Sequence, residues 1–117
     1  MNIEEIREFC LSMPHATEDV KWGKDLCFCV GKKMFTVVGL EPGKTVGSLK
    51  CTPEKFAELI ERNGIGPAPY VARYHWIGLE RLDALEDGEF KELIEKAYEL
   101  VYEKLPKKVR DELKTED

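Results

Sequence analysis

Four cysteines, at positions 10, 27, 29 and 51, carry the most reactive side chains in this sequence. Cys27-x-Cys29 on an extended strand would place both sulfurs on one face, roughly 6–7 Å apart. With Cys10 and Cys51 the pair supplies, in principle, the four thiolates of a structural zinc site. Such sites favour closely spaced ligands on turns, whereas here one pair sits in a strand and two thiols are remote. Reduced thiols packed as small hydrophobes are the expectation, with no metal. His15 and His75 are the two histidines. A catalytic imidazole works with a nucleophile or carboxylate partner, and no Ser or Cys motif stands near either one. Ser48 lies in Gly47-Ser48-Leu49, without the flanking pattern or following helix of a nucleophile elbow. Phosphate-loop, dinucleotide and zinc-protease motifs are absent from the sequence. Neither an enzyme nor a bound cofactor is expected.

Two other sets of residues point to binding. Residues 21–50 carry six lysines, at 21, 24, 32, 33, 44 and 50, against Asp25 and Glu41. The chain as a whole has a net charge of −5, and residues 82–117 hold twelve acids and seven bases. A basic segment inside an acidic protein is the pattern of a local nucleic-acid face, or of strands whose lysines discourage edge pairing. Tyr70, Tyr74 and Trp76, with Arg73 among them, form an aromatic cluster that could stack bases, hold a ligand, or close a core.

The elements that must position these groups are legible in outline. The 117 residues make one domain, 43% hydrophobic and 35% charged, a composition that folds and buries a core. No apolar run reaches the ~18 residues of a membrane span. The acidic start MNIEEIREFC argues against a secretory signal, so a cytoplasmic location is expected. Asn2 and Glu5 form a capping box, and Ile6, Phe9, Cys10 and Met13 repeat at helical spacing, which predicts a helix over 2–13 ended by Pro14. From Val20 to Cys51 the period becomes two. Turns at Gly31-Lys32-Lys33 and at Glu41-Pro42-Gly43-Lys44 divide that stretch into an antiparallel meander. Thr52-Pro53 starts a second helix, with Phe56, Leu59 and Ile60 as its apolar stripe. Residues 64–70, rich in Gly and Pro, are expected to be irregular. Arg73–Glu80 reads as one strand, with Tyr74 and Trp76 on the same side. Phe90, Leu93, Ile94, Ala97, Tyr98 and Val101 define a long helix over 88–104, and a short helix follows over 106–113. The domain is set at 1–113, with 114–117 as a frayed tail.

Several segments together resemble one family. Ser48-Leu49-Lys50-Cys51-Thr52-Pro53-Glu54, Pro67-Ala68-Pro69-Tyr70, His75-Trp76 and Leu105-Pro106-Lys107-Lys108 occur in the order seen in the MmcQ/YjbR family. Trp22-Gly23 and Gly31-Lys32-Lys33-Met34-Phe35 also fit its pattern. The resemblance implies a small bacterial domain with an α+β, frataxin-like or double-wing fold, and a DNA-binding label without catalytic residues. The expected architecture is therefore an antiparallel sheet of about five strands, with the N- and C-terminal helices packed on one face. The expected function is weak, largely sequence-independent DNA binding by a monomer. Lys32, Lys33 and Lys44 would touch the backbone from turn tips, supported by Lys50, Arg73 and His75. The alternative is a protein- or small-ligand-binding module built on Tyr70, Tyr74 and Trp76.

Overall fold

A computed structural model describes residues 1–115. Helix α1 (Ile3–Leu11) begins as its sequence dictates: the Asn2 side chain accepts from the Glu5 amide, and the Glu5 carboxylate accepts from the Asn2 amide. Four strands follow: β1 (Thr17–Lys21), β2 (Asp25–Val30), β3 (Lys33–Gly39) and β4 (Gly47–Lys50). Helix α2 (Pro53–Leu59) is capped by the Thr52 hydroxyl, which accepts from the Lys55 amide at 3.2 Å. Strands β5 (Ile65–Pro67) and β6 (Trp76–Leu79), then helices α3 (Asp87–Lys104) and α4 (Lys107–Thr115), complete the chain. The predicted tail is shorter than expected, because α4 runs on to Thr115. Residues 116–117 of that tail lie outside the described residues.

All pairings in the sheet are antiparallel, and the strand order is β1-β2-β3-β4-β6-β5. The six strands exceed the expected five because both edges are hard to read. Strand β1, TEDVK, is almost wholly exposed and has no apolar alternation to betray it. Strand β5 is three residues long and ends in Pro67, which an edge position tolerates because one side of the strand needs no ladder donor. The expected strand at 73–80 is cut short at its start. Ala72–Tyr74 forms a single helical turn, and His75 sits in the left-handed region at φ 67°. The partner strand β4 ends at Lys50, opposite Trp76, because Thr52-Pro53 turns the chain into α2. Beyond one further backbone bond, from the Cys51 amide to the His75 carbonyl, residues 73–75 therefore have no strand to pair with.

One face of the sheet is covered by helices. Leu26, Phe28 and Val30 of β2, Leu49 of β4, and Ile77 and Leu79 of β6 share a buried cluster with α1 and α3. An irregularity in the β2–β3 register lets Phe35 and Thr36 both be buried. Phe35 meets the ring of Tyr98 edge-on at 5.6 Å, and the Tyr98 hydroxyl donates to the Pro14 carbonyl at 2.7 Å. These contacts fix the long α3 against the sheet and against the end of α1.

The four thiols do not converge. Cys10 and Cys51 belong to the cluster beneath the helices, while Cys27 and Cys29 alternate with it and face the other side of the sheet. All four are free and buried. Burial pushes Cys10 and Cys51 up to about 12 and Cys27 to about 11, and raises Cys29 as well. The folded state thus favours the neutral thiol. Its contribution is complete below the ordinary thiol pKa and is lost as pH rises from there toward 12, because unfolded thiols ionise first. A disulfide-exchange reagent should label the native protein far more slowly than the denatured protein, and unfolding should become easier above about pH 9. Native labelling as fast as denatured labelling would show that the thiols are not enclosed.

Candidate functional site

Two surfaces of the sheet differ in character, one end of it and the face opposite the helices. At one end, Gly31 and Lys32 make a two-residue hairpin turn with positive φ at both positions, the geometry that matches strand twist. This turn rests on the junction of α3 and α4. A Cβ placed on Gly31 would lie 2.6 Å from Leu105 Cδ1 and 3.1 Å from Val109 Cγ1. Lys32 and Lys33, next to Gly31, therefore share this end with Lys104, Lys107 and Lys108, which flank Leu105. Between residues 104 and 110 the chain has four cations and no acid.

Lys50 belongs to the same end. Its ammonium donates to the Tyr74 carbonyl at 2.9 Å. Partial burial, and then the charge of Lys104, lower its pKa. Arg73 stacks over the Tyr74 ring at 4.9 Å. The His75 carbonyl accepts from the Cys51 amide at 2.9 Å, and its ring meets Phe56 edge-on at 5.7 Å. Lys32, Lys33, Lys50, Arg73 and His75 are thus brought to one end. Lys44 is not. It lies in the loop beyond Gly39, and β3 spans about 20 Å between Lys33 and Gly39 at strand rise. The cations that sequence reasoning missed are Lys104, Lys107, Lys108 and Arg110. The basic run around Leu105-Pro106 was the available signal, hidden within the acidic balance of 82–117.

The second surface is the sheet face opposite the helices. An open groove of about 880 Å³ runs along it. Met34, Val37 and Trp76 form its floor. Pro69, Tyr70 and Val71 rise over it from one end, and Trp22 and the 41–45 loop from the other. Gly78 makes this closure possible, because a Cβ there would meet Thr45 Cγ2 at 3.1 Å and the Ala68 Cα at 3.4 Å. Trp76 is 6% exposed, whereas Tyr70 is 98% and Trp22 69% exposed. Of the expected aromatic cluster, Tyr70 and Trp76 line the groove and Tyr74 does not. Trp22 was missed as a site residue. Its signal was a bulky aromatic preceding Gly23 at a turn, where both residues take positive φ.

Among the described residues no group of three or more His, Cys, Asp or Glu could hold a metal ion, and no helix is long and apolar enough to cross a membrane.

A family model described as YjbR matches residues 11–100. The crystal structure of a Deinococcus radiodurans protein with a DUF419 domain superimposes with a TM-score of 0.82 at 26% identity. The match covers 96% of this chain and 87% of that one. A Pseudomonas syringae protein superimposes with a TM-score of 0.72 at 24% identity, covering 86% of this chain and 99% of that one, and shares the fold. No curated protein matches the chain.

Proposed function

The chain belongs to the YjbR family, and from that premise we propose that it is a non-enzymatic DNA-binding protein that holds the phosphate backbone at the Gly31 end of its sheet. The observation that carries this reading is the seating of the Gly31 turn on Leu105 and Val109. It joins two basic segments that lie some seventy positions apart in the sequence. Lys32, Lys33, Lys107 and Lys108 are exposed and flank the contact of Gly31 with Leu105 and Val109, and Lys50 and Arg73, both held on Tyr74, lie toward the same end of the sheet. Contacts of this kind position a protein on a duplex but read no sequence. Asp111 and Glu112, which share a shallow depression with Lys107 and Lys108, keep the attraction modest. In this reading the protein acts as a bacterial, cytoplasmic monomer.

Four phosphate contacts predict a slope of about −3.6 in log K against log salt, at roughly −0.9 per contact on duplex DNA. Binding should then weaken by about two orders of magnitude between 50 and 200 mM salt. Charge reversal at Lys32 and Lys33 should reduce the slope by about 2. Reversal at Lys44, at the far end of the sheet, should leave it unchanged. Fluorescence anisotropy with a labelled duplex measures all three. No binding at low salt and tens of micromolar protein, or equal effects from the Lys33 and Lys44 reversals, would reject the basic end as the site.

A further inference from the structure

We propose that the groove on the open face of the sheet binds a small zwitterionic molecule carrying aromatic rings, of about dipeptide size. This inference goes beyond DNA binding and uses different residues. The groove's volume of about 880 Å³ lies in the range of small-molecule sites. Its floor of Met34, Val37 and Trp76 is apolar, and Met adapts to varied ligand shapes.

Two features select the ligand. The first is the display of rings. Trp22 has φ 56° and Tyr70 has φ 69°, the left-handed region that disfavours bulky side chains, and both side chains are exposed along the groove. Residues held in sparsely populated backbone regions cluster at ligand sites, though His15, Lys32 and His75 share this region of φ. A ring laid against either is held by stacking and by removal of apolar surface from water.

The second is charge. Lys24 and Lys44 line the groove together with Asp25 and Glu41. None of the four forms an ion pair among the described residues. Two cations and two anions, unpaired with one another, offer partners to both an ammonium and a carboxylate. A polyanion would meet Asp25 and Glu41, and a simple cation would meet the two lysines. A molecule with both charges and aromatic rings matches the whole lining.

The test uses phenylalanyl-phenylalanine as the probe, with its N-acetyl and C-terminal amide forms as single-charge controls. Calorimetric titration should show saturable binding of the free dipeptide at millimolar concentration or below, and clearly weaker binding of each capped form. Trp22→Ala and Tyr70→Ala should each weaken binding about tenfold, the effect of losing one aromatic contact of about 1.4 kcal/mol. Reversal of Lys32 and Lys33 should leave it unchanged, so this result stands or falls apart from DNA binding. Equal affinity for all three peptides would overturn the charge argument. No saturable binding of the free dipeptide up to millimolar concentration, or a concentration-dependent dimer abolished by Tyr70→Ala, would overturn the proposal, the latter in favour of a second copy.

Discussion

Trp76→Ala should lower the free energy of unfolding by about 3 kcal/mol, a loss at the lower end of the range for deleting a buried aromatic. Trp76 lies on the open face of the sheet, yet only 6% of it is exposed. Its strand position opposite Lys50 places it beneath the 69–71 loop, and its carbonyl accepts from the Ala68 amide at 3.0 Å. The space left by the indole would adjoin the groove, so water can enter it. That relief keeps the cost below that of a sealed cavity. Tyr70, 98% exposed, offers the contrast: Tyr70→Ala should change stability by less than about 0.5 kcal/mol. Urea titrations of both variants check the pair. A loss below about 1 kcal/mol for Trp76→Ala would make its indole a loosely held binding group and not part of the scaffold.

Gly31→Ala should cost about 3 kcal/mol, from two sources. Gly31 has φ 56°, where an added Cβ is disfavoured by roughly 1–2 kcal/mol. That Cβ would also press on Leu105 Cδ1 at 2.6 Å and Leu105 Cδ2 at 3.0 Å, and overpacking of this kind costs about 1–3 kcal/mol. Leu105 is buried at the break between α3 and α4, so relief comes from moving the side chain or lifting the junction. Gly43→Ala is the control: its Cβ would meet nothing within 4 Å, and the change should be nearly neutral. Thermal unfolding compares the two. If Gly31→Ala also weakens DNA binding while the variant stays folded, the hairpin and α4 act as one surface. A neutral Gly31→Ala would mean that the junction does not hold the turn in place.

Both substitutions bear on the division of labour across the sheet. The helix layer and its core set the position of the Gly31 turn, and through it the cluster of Lys32, Lys33, Lys107 and Lys108. The opposite face owes its groove to Gly78, which lets Thr45 and Ala68 close over the strands. Asymmetric covering of an antiparallel sheet leaves one face for binding without disturbing the core.

Local chemistry in the sequence determined the helices, their caps and the central hairpin. Asn2 with Glu5, Thr52 with Pro53, and the 3.6-residue spacing from Phe90 to Val101 act within a few residues, so they can be read without knowing the fold. The same holds for the Gly31-Lys32 turn and for the motifs that resemble the YjbR family. Tertiary structure alone decided the rest. Strand β6 inserts between β4 and β5, which sets the start of the strand at Trp76 and leaves His75 in a turn. Edge strands β1 and β5 form by pairing with a neighbour and carry no apolar period of their own. Charge behaves in the same way. The acidic sum over 82–117 hides the cations at 104–110 until the fold brings them to Lys32 and Lys33, and Lys44, close to them in sequence, ends about 20 Å away along β3. A local pattern is written by neighbours in the chain, whereas a surface is written by long-range pairing that joins residues from distant segments.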